Sequence, residues 1–185
     1  GEEPHRFVRR GTEGQGLAMS FQVPLTAEQL RAAQKLHGRL VQWKLSDAAL
    51  LRLRDTALGF DGPSCLLKTV TVNALHGTQV FAVVRMAEHV HQTIAGVELE
   101  SACPELVESI AAMPAKPGEK KRRAIRVAAK FCHFFVDENR FPIYDEAARV
   151  TLKLHLGKAY DGSTKHLYQA FCSNLRQLED AAGLK

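Results

Sequence analysis

Two residues in the second half of the chain, Lys130 and Asp145, have side chains suited to catalysis. Lys130 stands in the otherwise apolar run 124–135, and a lysine whose pKa is lowered by burial can attack an electrophilic carbon as a free amine. Asp145 opens a run with helical spacing that continues to about residue 156. Backbone N–H groups and the helix dipole keep such a carboxylate ionised, so it can stabilise a developing positive charge. Both residues are therefore candidates for a catalytic role.

Each of these residues also has a structural explanation. Aspartate is a preferred N-cap, so Asp145 could serve only to start its helix. Lys130 could lay its methylene stem on the apolar surface and hold its amine at the helix edge. The spacing of the two residues does not decide between these alternatives.

Helical spacing of apolar residues recurs along most of the chain and predicts an all-α fold. A capping box formed by Thr26 and Gln29 starts the first helix. The predicted helices span 27–43, 46–58, 63–75, 78–93, 105–113, 124–135, 145–156 and 163–181. We expect residues 21–185 to form a single compact helical domain. Residues 1–20 lack periodicity and are expected to be a flexible or artificial N-terminal segment.

The stretch 66–84 has a second interpretation. It is rich in β-branched residues that alternate with polar ones, and His76-Gly77 could close a hairpin. Against two strands, Asp61-Gly62-Pro63 is a helix-start signal with proline in the first turn. We predict two buried helices here, with a turn at Gly77, and keep the hairpin as the alternative.

A turn-rich basic connector covers residues 114–123, and its composition requires it to be exposed. A cluster of cations in such a loop can bind the phosphates of a nucleic acid, although most such loops are only solvated. The residues assigned to phosphate contact are Lys116, Gly118, Lys120, Lys121, Arg122 and Arg123.

The segments KFCHFF at 130–135 and FPIYDEAARV at 141–150 resemble the corresponding region of helix-hairpin-helix DNA glycosylases. In that family a hairpin leads into a buried helix, a loop and a Pro-Val-Asp-like segment whose aspartate opens the next helix. The resemblance covers about residues 60–157 and extends more weakly to 66–84. The family's nucleophilic lysine stands about four residues earlier than Lys130, where this chain has Arg126, and the hairpin here has one glycine instead of two.

The resemblance implies a DNA-binding enzyme that removes a damaged or modified base from a flipped-out nucleotide. Asp145 would stabilise the sugar cation and Lys130 would be the amine nucleophile. The resemblance also implies that Tyr144 and His133 line the base pocket and that Asn73 and His76 reach the DNA from a polar turn. Each of these assignments has a structural alternative. Tyr144 could pack on the nearby proline, and His133 could be a core residue. Asn73 and His76 could belong to an ordinary surface turn.

The bulk properties are compatible with this function. The 25 Lys and Arg against 20 Asp and Glu give a net charge of +5, which suits a polyanionic partner. The four cysteines lack metal-ligand spacing, so no metal or other cofactor is expected, and reduced thiols are typical of the cytoplasm. No apolar stretch approaches the roughly 20 residues of a membrane helix. We expect a cytoplasmic monomer that binds DNA and no membrane.

Two other functional classes remain open. The first is a non-catalytic nucleic-acid-binding or interaction module on the same helical scaffold. The second is a structural protein of another helical family. Neither would need Asp145 and Lys130 for chemistry.

Overall fold

A computed structural model describes residues 23–118, 123–163 and 165–183. All of its regular structure over these residues is helical, which confirms the predicted all-α fold. The helices are α1 Ala27–Arg39, α2 Val41–Thr56, α3 Gly62–His76, α4 Val83–Ile94, α5 Pro104–Ala111, α6 Ile125–Phe135, α7 Glu146–Leu156 and α8 Leu167–Ala181. Short 3-10 turns occupy Leu99–Ser101 and Gly157–Ala159.

The stretch 66–84 contains the second part of α3, a turn and the start of α4, so the hairpin alternative is wrong. Asp61 caps α3 by accepting a hydrogen bond from Ser64 N at 2.8 Å, and Gly77 ends it with a left-handed φ of 53°. The next helix begins at Val83 rather than at residue 78 because residues 77–82 form an extended turn. Phe81 was expected inside a buried helix, but it lies on this turn and is 93% exposed.

The predicted first helix is in fact broken at Leu40, whose ψ of 82° separates α1 from α2. The capping box is confirmed, because Gln29 N donates to Thr26 Oγ1 at 3.2 Å and Gln29 Oε1 accepts from Thr26 N at 2.8 Å. However, no residue of α1 is buried, and Trp43 remains 61% exposed. The apolar periodicity of this region therefore does not correspond to a buried face.

Helix α6 lies at the centre of the core and packs against α2, α3 and α5. Nine of its residues are buried, so the helix is enclosed on nearly all sides. A side chain such as Phe131, which is 1% exposed, stabilises the fold by about 1.5–3 kcal/mol. Lys130 is among the buried residues, so the position of this lysine is determined by the core itself.

The last two helices complete the same core, with α8 packed on α5 and α7. Helix α8 begins at Leu167, later than the predicted residue 163, and it lacks a side-chain cap of its own. Instead, Glu108 of α5 accepts a hydrogen bond from Tyr168 N at 2.6 Å. Over the described parts of the chain, no helix is both long and apolar enough to cross a membrane.

Candidate functional site

Asp145 occupies the N-cap of α7, as predicted. Its Oδ1 accepts a hydrogen bond from Ala148 N at 2.9 Å, and its backbone is extended. Two neighbouring helices hold the segment in front of it. His133 Nδ1 of α6 donates to the carbonyl of Phe141 at 2.9 Å, and the Tyr168 hydroxyl of α8 donates to the carbonyl of Pro142 at 2.8 Å. The carboxylate is therefore presented on a segment that is anchored from both sides.

Arg140 provides a further anchor for this segment. Its guanidinium donates to the carbonyls of Glu100 at 2.6 Å, Ala102 at 3.1 Å and Leu99 at 2.9 Å, and its Nε donates to Asp137 at 2.7 Å. These bonds attach the α6–α7 loop to the 3-10 turn before α5. No sequence motif indicated this contact, because its acceptors are backbone atoms about forty positions away.

Lys130 lies on α6, the helix that precedes Asp145 in the chain. Burial lowers the pKa of Lys130, the carboxylates of Asp145 and Asp47 raise it, and Arg126 lowers it. Lys130 is only 6% exposed. Among the described residues no carboxylate lies within the 4.0 Å of an ion pair with its amine. The structure therefore brings the two predicted residues into one electrostatic cluster without a direct salt bridge.

His76 and Asp47 belong to the same cluster. His76 Nε2 lies 3.8 Å from Asp47 Oδ1, and its ring packs on Phe134 with centroids 5.4 Å apart. Burial lowers the pKa of His76, and Lys130 lowers it further, whereas Asp47 and Asp145 raise it. His76 is thus turned towards α2 and α6. Sequence alone does not indicate the approach of Asp47 to His76, because it depends on how α2 packs on α3.

Asn73, which was predicted to reach DNA, forms hydrogen bonds within the turn that follows α3. Its Nδ2 donates to the carbonyl of Val80 at 3.1 Å. Its Oδ1 accepts hydrogen bonds from Thr78 Oγ1 at 2.7 Å and from Val80 N at 2.9 Å. These three bonds use the amide oxygen twice and one of the two N–H groups, and they fix the path of residues 77–82.

An open cleft of about 930 Å³ lies beside the cluster. It is bounded by the α3–α4 turn, residues 113–115, the start of α6 and residues on either side of Asp145. Tyr144 lines the cleft and packs edge-on against Phe171, with ring centroids 5.0 Å apart. Arg126 also lines it, whereas Lys130, Asp145 and His133 are not among its described lining residues.

The cleft is predominantly cationic. Among the described residues that line it, the charged ones are Arg85, Arg123, Arg126 and Glu146. Arg126 is exposed and stands one helical turn before Lys130. This arrangement favours an anionic ligand.

The basic connector is only partly described. Lys116 and Gly118 are exposed, and Gly118 has a φ of 83° that favours glycine. Arg123 donates to the carbonyl of Lys165 at 2.9 Å and forms an ion pair with Glu108. The predicted phosphate contacts Lys120, Lys121 and Arg122 lie outside the described residues. In the described ranges, no group of three His, Cys, Asp or Glu residues is arranged to hold a metal ion.

Comparison with known proteins identifies a family. The family model HI_0787_N, described as an N-terminal domain, matches residues 26–140. This range contains Lys130, His76 and Asp47, and it ends before Asp145. No curated protein and no solved structure matched the chain. Because the matched range covers more than half of the 185 residues, the chain belongs to the HI_0787_N family.

Proposed function

We propose that this protein binds DNA and removes a damaged or modified base from a nucleotide that enters the cleft beside Asp145. The observation that supports this function best is a helix-capping carboxylate that interacts electrostatically with a buried lysine of lowered pKa, while residues 144 and 146 on either side of the carboxylate line an open cationic cleft. A buried group with a shifted pKa and a nearby charge partner is typical of catalytic sites. The resemblance to helix-hairpin-helix glycosylases agrees with this assignment.

Asp145 would act when the bond between the sugar C1′ and the base breaks. The bonding electrons leave with the base, and the sugar becomes positively charged. A carboxylate held by Ala148 N can stabilise that charge without having to reorient. The segment is anchored by His133 and Tyr168, which keeps the carboxylate in place as the reaction proceeds.

Lys130 would act as the nucleophile that takes the place of the base. Because burial lowers its pKa, the unprotonated amine that attacks C1′ forms more easily than on an exposed lysine. Loss of a proton from the attacking nitrogen and opening of the sugar ring then give an iminium ion, which borohydride reduces to a stable amine.

The test is base release from duplexes that each carry one damaged base, including uracil, an oxidised purine and an alkylated purine. We expect Asp145→Asn to lower the rate by on the order of 100-fold or more, because asparagine keeps the cap but lacks the charge. Glu138→Gln, an exposed change on the preceding loop, is the matched control and should leave the rate unchanged. Failure of the protein to release any of these bases, or equal rates for Asp145→Asn and the native protein, would overturn the enzymatic proposal.

A second function, nucleic-acid binding without chemistry, is favoured by one observation. Three arginines line the cleft, whereas Lys130 and Asp145 are not among its described lining residues. A pure binding module would bind undamaged DNA or RNA with a strong dependence on salt. Its affinity would fall in Arg126→Ala and remain unchanged in Asp145→Asn, and no base would be released.

A further inference from the structure

Residues 27–45, which we call the α1–α2 arm, lie outside the core. No residue of α1 is buried, and Leu50 is the first buried residue of α2. Helix α1 has only 13 residues, and isolated helices of that length are marginally stable in water. Because none of its side chains is buried, most of the surface of the arm is available to a partner.

The arm carries a contiguous group of exposed apolar side chains. Val41 and Leu45 are one helical turn apart and share a face of α2. The Trp43 ring meets the His37 ring edge-on, with centroids 6.3 Å apart, so the indole lies beside the last turn of α1. Single exposed hydrophobic residues are ordinary, whereas a contiguous group marks an interaction surface. Its large members, which are 36–66% exposed, are Leu36, Leu40, Val41, Trp43 and Leu45.

The arm is also strongly cationic. Along α1, the apolar positions 30, 33 and 36 and the cationic positions 31, 35 and 39 follow helical spacing on opposite faces. A helix with cations on one face and leucines on the other is typical of one that lies in the interface of a membrane. The charged residues of the arm, all exposed, are Arg31, Lys35, Arg39 and Lys44 against the single acid Glu28.

The composition of the arm favours lipid over other partners. In a symmetric contact with a second copy the patch would face itself, and its cations would repel each other. Nucleic acids offer phosphates, but their bases stack on aromatic rings, and four of the five large apolar residues are aliphatic. An anionic phospholipid surface offers phosphates to the cations and an apolar layer to the aliphatic side chains. Tryptophan is enriched at the boundary between these two layers.

We propose that the α1–α2 arm binds the surface of a membrane that contains anionic phospholipids. The apolar side chains enter the boundary between headgroups and acyl chains, and the arginine and lysine side chains reach the phosphates. This contact requires no membrane-spanning helix, whereas the expectation of no membrane partner considered only spanning segments. No residue of the arm is among the described lining residues of the cleft, so the inference is independent of the proposed function.

The test is binding of the full chain to sucrose-loaded vesicles, measured by sedimentation. One set of vesicles contains phosphatidylcholine alone, and the other contains about one-quarter phosphatidylserine. Trp43 is the only tryptophan in the sequence, so its emission reports directly on the arm. We expect binding only to the vesicles with phosphatidylserine, together with a blue shift of the tryptophan emission, and release at high salt.

The apolar part of the arm is tested by Leu36→Gln. This change should weaken vesicle binding by on the order of 10-fold. Leu58→Gln, at a position that is 80% exposed and outside the arm, is the matched control and should bind like the native protein. Both variants should keep the native circular dichroism spectrum, because neither side chain is part of the core.

The cations are tested by Lys35→Gln combined with Arg39→Gln. Loss of these two charges should weaken binding by roughly 30-fold. Lys153→Gln combined with Lys158→Gln removes the same charge from exposed positions in and just after α7, and it should weaken binding by less than about threefold.

The proposal is overturned if the native protein does not bind vesicles with phosphatidylserine, or if either control loses as much affinity as the variant it matches. Dimerisation that Leu36→Gln abolishes, without vesicle binding, would assign the arm to a second copy and would overturn the proposal. A loss of DNA affinity in the arm variants, without vesicle binding, would overturn it in favour of a nucleic acid. Vesicle binding through the arm in a protein that releases no base would support this proposal and refute only the enzymatic one.

Discussion

Glu108 is the residue whose replacement gives the clearest energetic prediction. It lies on α5, is 8% exposed, and contacts two other parts of the fold. One carboxylate oxygen forms an ion pair with Arg123, at the end of the basic connector. The other accepts the hydrogen bond from Tyr168 N at the start of α8. A single buried carboxylate thus connects the connector, α5 and α8.

The expected loss follows from these contacts. In Glu108→Ala the buried Tyr168 N–H loses its acceptor, which costs about 1–3 kcal/mol. Breaking a buried ion pair costs about 3–5 kcal/mol, but Arg123 is one-third exposed and recovers part of its hydration, so the lower part of the range applies. These costs overlap, and we expect the free energy of unfolding to fall by about 3 kcal/mol. Glu108→Gln keeps an acceptor for Tyr168 N and should lose about half as much.

The assay is chemical and thermal unfolding followed by circular dichroism. A loss of about 3 kcal/mol corresponds to a decrease in Tm of about 6–12 °C for a chain of this size. Glu105→Gln is the matched control, because Glu105 also lies on α5 and accepts a hydrogen bond from Gln169 of α8 at 2.5 Å, but it is exposed. It should change the stability by less than about 0.5 kcal/mol. Equal effects of Glu108→Ala and Glu105→Gln would refute the reasoning.

Two further predictions concern the backbone and the thiols. Gly77→Ala should lower the free energy of unfolding by about 1 kcal/mol, as measured by urea unfolding, because alanine is strained at the φ of 53°. The added methyl group meets no neighbour, so the backbone strain is the whole effect. Gly38→Ala, at a helical position with equal space, is the control and should cause no loss. Burial raises the pKa of Cys65 and of Cys172 to about 11, from a usual 9.0. The unfolded chain therefore releases these protons first, and stability should fall as pH rises from about 9 to about 11. The urea midpoint should drop between about pH 8 and about pH 10, and the drop should be smaller in Cys172→Ala; an equal drop in both proteins would contradict the burial of Cys172.

The side-chain caps of the helices were predicted more accurately than the burial of the helix faces. The capping residues Thr26, Asp61 and Asp145 are where the sequence pattern expects them, because capping depends on atoms within a few residues. By contrast, Trp43 and Phe81 belong to apolar patterns and yet are exposed. Periodicity shows which residues share a face, but it contains no information on whether another element packs against that face.

The candidate site shows the same division. The positions of Lys130 and Asp145 follow from the pattern of α6 and from a local cap, so sequence analysis could identify both. The approach of Asp47 and His76 to Lys130 depends on the packing of three helices that are distant in the chain. The groups that accept hydrogen bonds from Arg140 are backbone carbonyls, so the residue types in the sequence do not reveal them. Contacts of this kind become visible only in the folded molecule.

The most direct test of the role of Lys130 is to identify the residue that becomes covalently attached to DNA. The native protein is incubated with a duplex containing an abasic site and borohydride, and the covalent product is digested and mapped by mass spectrometry. We predict that the DNA remnant is attached to Lys130, that Lys130→Ala forms no adduct, and that Lys153→Ala, an exposed lysine on α7, forms it normally. Attachment to another residue such as Lys116, undiminished trapping in Lys130→Ala, or no adduct from the native protein would contradict the assignment of Lys130 as the nucleophile.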